Sequence, residues 1–289
     1  MRAVAHGLPL KRFVRVGPAE LAYVTSGDPE APPVLFLHGF PTHSYLWRKV
    51  LFELGEDVHG IAVDLLGLGD TVVSPYEDFT APFQAELLID WMDRAGLDAV
   101  AIVAHDQGGA VAQQLVANRP DRVTHLALVN SVAYDGWPVP VVAQVMRLAR
   151  TPGLDTVAYA LDLPRRLAHS ARMGFGRAVC DASVITPDVV EEYLRPVQTA
   201  EGRERARRFL LAGDNRYTME AVPGLRAFDK PALVVWGADD PYLSPSWGVR
   251  LAADLPGAGP LELLPFCGHL VPEEKPVELS ALLRDLLAR

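Results

Sequence analysis

The sequence predicts an α/β fold: a mostly parallel sheet with helices on both faces, interrupted once by a helical insertion. Three observations lead there. Val34–Leu37, Ile61–Val63 and Val100–Ala104 are short, continuous apolar runs, the pattern of strands buried on both faces. Helix-spaced apolar residues lie between them, so strand and helix alternate as in a parallel sheet. After Val132 the texture becomes proline-punctuated and helical, and strand texture returns near Leu233. With 289 residues, 49% of them hydrophobic and 22% charged, the chain can bury a large core, and wholesale disorder is excluded.

Taken in order, Phe13–Val16 and Leu21–Thr25 read as an opening antiparallel pair. Phe79–Ala95 carries helical periodicity and is stopped by Gly96. Another helix opens at Gly108-Gly109 and is followed by a strand at Leu126–Val129. Residues 1–133 therefore form the first part of the core and 134–228 a helical cap. Its prolines stand at 138, 140, 152, 164, 187, 196 and 223. Residues 229–289 supply the rest of the core, with strands at Leu233–Trp236 and Leu261–Leu264 and an amphipathic helix at Pro276–Leu287. The charge-rich run Arg203–Arg208 reads as a solvated helix face.

The net charge is −9, with no block of like charges, which argues against nucleic acid and anionic membranes as partners. Cys180 and Cys267 are the only cysteines and form no CxxC pair, so neither a disulfide framework nor a cysteine-built zinc site is expected. The opening MRAVAHGLPLKRFVRV lacks the apolar run of a leader, and the longest apolar stretch, Ala99–Ala104, is far too short to span a bilayer. A cytoplasmic protein is expected, as monomer or homodimer.

The chemistry concentrates at Val103-Ala104-His105-Asp106-Gln107-Gly108-Gly109. A buried strand runs into a sharp turn of small residues and a helix opens at once, which lifts one side chain to the carboxyl end of the sheet. A serine holds that place in a Gly-x-Ser-x-Gly turn; here it is Asp106. An alkylated serine is an ether that water does not easily cleave, whereas an alkylated aspartate is an ester with an attackable carbonyl. An aspartate nucleophile thus suits displacement at saturated carbon, in epoxide opening or carbon–halogen cleavage. The turn is expected to face the surface, and the helix N-terminus to keep the carboxylate ionised. His269, in Phe266-Cys267-Gly268-His269-Leu270, follows the last strand as general base. Asp240 follows the strand before it as the acid that orients the histidine, with Asp239 as the fallback. His38 and His105 read as structural turn residues.

Four motifs together resemble the α/β-hydrolase superfamily: Leu37-His38-Gly39-Phe40-Pro41, Asp64-Leu65-Leu66-Gly67-Leu68-Gly69, His105–Gly109 and Gly268-His269. More narrowly they resemble its aspartate-nucleophile branch, the epoxide hydrolases and haloalkane dehalogenases. The resemblance implies an oxyanion hole from the backbone N–H groups of Phe40 and Gln107, no cofactor and no metal. Dehalogenases of this kind usually carry Trp after the nucleophile and often Asn after His-Gly, where this chain has Gln107 and Phe40. Fluoroacetate dehalogenases place Arg where Gln107 and Ala110 stand. Epoxide hydrolases use cap tyrosines to protonate the opening oxygen, and Tyr134, Tyr159, Tyr193 and Tyr217 are the candidates; Trp137 either lines the pocket or packs the hinge. The expected substrate is a small apolar organic molecule, with water as co-substrate. Epoxide hydrolase leads, with dehalogenase second and a non-catalytic binding protein of the same fold third. Ester hydrolysis is disfavoured, because an aspartate attacking an acyl carbon forms an anhydride.

Overall fold

The computed structural model describes residues 10–74, 76–151 and 153–289. Residues 1–9, where the segment read for a leader begins, lie outside the described residues, as do Pro75 and Pro152.

The first part of the chain runs β1 (Arg12–Val16), β2 (Ala19–Gly27), β3 (Pro33–Leu37), α1 (Arg48–Leu54), β4 (His59–Val63), α2 (Ala81–Ala95), β5 (Val100–Asp106), α3 (Gln107–Asn118) and β6 (Val123–Ser131). Then come six helices: α4 (Pro140–Ala149), α5 (Leu154–Ala160), α6 (Leu163–Ala168), α7 (Pro187–Leu194), α8 (Ala200–Ala212) and α9 (Asn215–Ala227). The sheet resumes with β7 (Ala232–Gly237), and α10 (Pro245–Asp254), β8 (Glu262–Leu264), α11 (Val271–Glu274) and α12 (Pro276–Leu287) close the chain.

All eight strands form one sheet in the order β1-β2-β4-β3-β5-β6-β7-β8. The β1–β2 and β2–β4 pairs are antiparallel; every later pair is parallel. β5 lies near the centre, and all seven of its residues are buried, which is why its sequence shows no polar alternation. Two apolar clusters fill the opposite faces. Leu35, Ile102 and Leu128 point to one, and Phe36, Val103 and Val129 to the other, following the two-residue period of the strand. α2 ends where Gly96 adopts a left-handed conformation (φ 70°) and its N–H returns to Met92 and Asp93.

The carboxyl ends of β3, β5, β6 and β7 reach the same rim, and the chain emerging from each contributes to the site. The long excursion from β6 to β7 packs against that rim. Phe209 of α8 stacks on Phe40, with ring centroids 6.3 Å apart, and α9 lies against α3, where Gln114 donates to the Tyr217 carbonyl at 2.6 Å. Arg195 makes a two-pronged ion pair with Asp70 at 2.6 and 2.7 Å. Tyr193 of α7 donates to Glu273 at 2.6 Å, beside the buried Arg48–Glu273 pair.

Candidate active site

Asp106 ends β5 and caps α3, and its backbone sits at φ 50°, ψ −122°. That conformation is unfavourable for a residue with a side chain, and a sharp strand-to-helix turn imposes it. Small neighbours make the turn possible. A Cβ on Gly108 would lie 2.7 Å from the Leu37 carbonyl oxygen, and one on Gly39 would overlap the Asp106 carboxylate.

The Asp106 Oδ2 atom accepts the Phe40 N–H at 3.0 Å. The Gln107 backbone N–H, next along the chain, also favours the charged form of this carboxyl group. On its other side, His269 Nε2 stands 4.0 Å from Oδ1, and His269 Nδ1 is 2.9 Å from Asp240 Oδ2. Asp240 in turn accepts from the Asn130 amide at 2.6 Å, while its Oδ1 takes the N–H groups of Tyr242 at 2.8 Å and Leu243 at 3.0 Å. Nδ1 therefore carries the proton given to Asp240, leaving Nε2 free to accept one on the side facing Asp106.

Burial raises the Asp106 carboxyl above its ordinary value, although His269 and the N–H groups of Gln107 and Phe40 pull it back. The helix N-terminus thus moderates the desolvation of Asp106 and does not outweigh it. This corrects the expectation of a surface-facing turn, because Asp106 is 93% buried. Burial disfavours the charged imidazole of His269, but Asp240 and, behind it, Asp106 more than offset this and raise its pKa. Burial also opposes the charge on Asp240, and His269, Asn130 and Leu243 reverse that and hold it ionised.

Asp240 is the residue that meets His269. Asp239 turns toward Cys180, whose Sγ lies 3.7 Å from its carboxylate. His105 is buried and kept neutral, its pKa lowered to about 3, and its Nε2 donates to the His269 carbonyl at 2.9 Å. His38 is also neutral: its Nε2 accepts the Leu65 N–H and its Nδ1 bonds the Gly39 carbonyl.

A cavity of about 30 Å³ lies beside Gln107, the residue next to Asp106, walled by apolar residues such as Val111, Val132 and Phe209 together with Trp137 and Tyr217. The four candidate tyrosines separate here. Tyr217 lines the cavity, and its hydroxyl oxygen accepts from Arg216 at 2.6 Å. Tyr134 and Tyr193 do not line it, a correction with a plain cause: buried hydroxyls need partners, and theirs are Asp254 at 2.8 Å and Glu273 at 2.6 Å. Tyr159 on α5 lies outside the cavity wall as well, with the Arg203 guanidinium over its ring. Trp137 is a wall residue, packed against Gly213. Neither its indole N–H nor the Gln107 carboxamide hydrogen-bonds within the described residues. Asn130 was not foreseen, and its only signal was a polar residue at the carboxyl end of a buried strand. Its φ of 40° suits an asparagine, and its amide bridges the Gly237 N–H and Asp240. No group of three His, Cys, Asp or Glu residues suited to a metal ion occurs among the described residues.

The α/β hydrolase fold model matches residues 32–276, which include Phe40, Asp106, Asp240 and His269. The chain belongs to this family. The hydrolase is 29% identical to a soluble epoxide hydrolase of Corynebacterium sp. (strain C12), over 88% of each chain. It is 32% identical to lipase LipV of Mycobacterium tuberculosis, over 92% of this chain and 97% of that one. Among solved structures, haloalkane dehalogenase DbeA of Bradyrhizobium elkani matches with a TM-score of 0.79 and 26% identity, over 96% of this chain and 99% of that one. The protein is an enzyme of the hydrolase class, similar to the epoxide-hydrolase and dehalogenase branch. Among the described residues no helix of this hydrolase is long and apolar enough to cross a membrane.

Proposed function

We propose that this hydrolase opens a small epoxide through a covalent ester on Asp106. The observation that carries the reading is a buried carboxylate at the strand-to-helix turn, with the Phe40 N–H on it and the free nitrogen of an Asp240-oriented histidine 4.0 Å away. In the first half-reaction an Asp106 oxygen attacks a ring carbon, the carbon–oxygen bond breaks, and the oxygen takes the Tyr217 hydroxyl proton. The Tyr217 oxygen already accepts the Arg216 guanidinium N–H at 2.6 Å. In the second, His269 Nε2 removes a proton from water, which adds to the ester carbonyl. The N–H groups of Phe40 and Gln107 meet the oxyanion, and Asp240 stabilises the imidazolium. Collapse expels the alkoxide of the diol, which takes the imidazolium proton, and the acid proton left on Asp106 returns through water to the Tyr217 phenolate, so that Asp106, His269 and Tyr217 are all restored. The helices between β6 and β7 act as the cap that keeps bulk water from the ester, and the apolar wall favours a small apolar substrate.

Dehalogenation through the same ester is the second reading. The indole N–H of Trp137 and the carboxamide of Gln107 favour it, being two unpaired donors on the cavity wall that suit a departing halide. The similarity to a lipase does not carry ester hydrolysis over, because attack by Asp106 on an acyl carbon would lead to an anhydride.

His269→Gln is the decisive variant. Alkylation uses a carboxylate that is already ionised, whereas release requires a base, so the variant takes up substrate once and stalls. Intact-mass spectrometry after exposure to an epoxide shows the protein heavier by the whole molecule, and peptide mapping places the adduct on Asp106. With an alkyl halide only the alkyl mass is gained. An unmodified Asp106, with a substrate that the unaltered enzyme turns over, defeats the covalent route.

A further inference from the structure

Nine of the nineteen large apolar side chains exposed among the described residues fall between positions 141 and 173, on α4, α5, α6 and the turns beside them. They form stripes. On α4, Val141, Val145 and Leu148 recur at helical spacing on the solvent side, while Met146 alone of its ten residues is buried. Val157 on α5 and Leu161 just past its end continue the apolar surface, and Leu163 begins α6. Helices of a globular protein ordinarily turn this face inward; here it turns outward, with α5 against α4 and α6 against α5.

The same stretch carries an unusual charge. Residues 140–177 contain six arginines and two aspartates, a local +4 in a chain of net −9. Arg147, Arg150, Arg166 and Arg172 are exposed and have no ion-pair partner among the described residues. The remainder of the chain is correspondingly more acidic.

We propose that the α4–α6 face docks this hydrolase on an anionic lipid surface. Short amphipathic helices with aliphatic residues on one side and arginines beside them enter the headgroup region in this way, the aliphatic chains reaching the acyl boundary and the guanidinium groups the lipid phosphates. A second copy of the chain fits poorly, because a twofold contact would set these exposed arginines against their own copies. A protein partner is disfavoured by composition, since the six apolar residues named are Val and Leu with no aromatic anchor among them. The net charge of the whole molecule had argued against a membrane, but a surface within a Debye length reads the local charge and not the sum. The proposal is independent of the chemistry at Asp106.

The test is sedimentation of the full chain with vesicles of phosphatidylcholine alone, and with vesicles in which about one-third is phosphatidylglycerol. Binding is expected to the anionic vesicles only, and to weaken as salt is raised. Arg147→Gln, Arg150→Gln and Arg166→Gln combined should lower affinity on the order of a hundredfold. Leu148→Glu with Leu161→Glu should lower it by at least about tenfold. These side chains lie on the surface, so hydrolysis of a water-soluble substrate and the thermal midpoint stay as in the unaltered enzyme and report an intact fold. No sedimentation with anionic vesicles overturns the proposal, as does equal binding to both vesicle types. A concentration-dependent dimer that Leu148→Glu dissociates, without vesicle binding, also overturns it and assigns the face to a second copy.

Discussion

On the proposed route Asp106 and His269 both act in their deprotonated forms, so each half-reaction gains as pH rises. The carboxylate must be ionised to attack, and burial has raised its pKa; the imidazole must be neutral to activate water, and two carboxylates have raised its pKa above the ordinary 6.5. Under single-turnover conditions the release of product should therefore rise with pH, with a midpoint above 6.5, while alkylation should follow a separate midpoint set by Asp106. Asp240→Asn should bring the release midpoint down. Coincident midpoints for the two half-reactions in stopped-flow measurements would separate His269 from the hydrolytic step. Stability follows the reverse course. A histidine whose folded pKa is raised stabilises the fold fully below its unfolded pKa, and the contribution is lost as pH rises through the folded value. The pH range in which the base becomes active is thus the range in which its ion pair with Asp240 ceases to help the fold.

The elements that present these residues depend on contacts too close for a side chain. Gly108 opens the first turn of α3 directly behind β3, and any Cβ there would press on the His38 and Leu37 carbonyl oxygens. Backbone cannot give way as a flexible side chain does, so Gly108→Ala should cost about 1–3 kcal/mol. It should also move Asp106 relative to the Phe40 N–H. Calorimetry should show a lower unfolding temperature, and kcat should fall more than substrate affinity. An unchanged midpoint would mean that α3 slides outward without penalty. The strands were readable because burial on both faces leaves a wholly apolar run, and α2 because Gly96 punctuates its end. That Asp106, Asp240 and His269 come together was legible from the turn chemistry and the order of loops along the chain. Asn130 was not, because its partners Gly237 and Asp240 lie more than a hundred residues away and only the β6–β7 pairing brings them to it.

At the scale of the whole molecule, the cavity is defined by how the helices between β6 and β7 meet the sheet rim. Phe209 on α8 carries much of that contact, stacking on Phe40 while forming part of the wall. Phe209→Ala should cost about 3–5 kcal/mol, because a buried aromatic ring leaves a hole that its neighbours fill only in part. The same change enlarges a space of about 30 Å³. Relative kcat/KM should therefore shift toward bulkier epoxides, measured across a homologous series on a variant shown to be folded. A flat profile would assign the size limit to another wall.

The sequence by itself determined the alternation of buried strands and amphipathic helices, the helical excursion near its middle, and the presence of Asp106, Asp240 and His269 at or just after the ends of β5, β7 and β8. Each of these rests on local information: side-chain periodicity, turn residues, and position just after a strand. Tertiary structure alone decided that Tyr217 and Trp137 line the cavity while Tyr134 and Tyr193 bond Asp254 and Glu273. It also decided that Asp106 is buried, and that the apolar stripe of α4 faces outward. Helical periodicity fixes which residues share a face but not what that face meets. That depends on packing between segments far apart in the chain, and a buried hydroxyl goes wherever such packing offers it a partner.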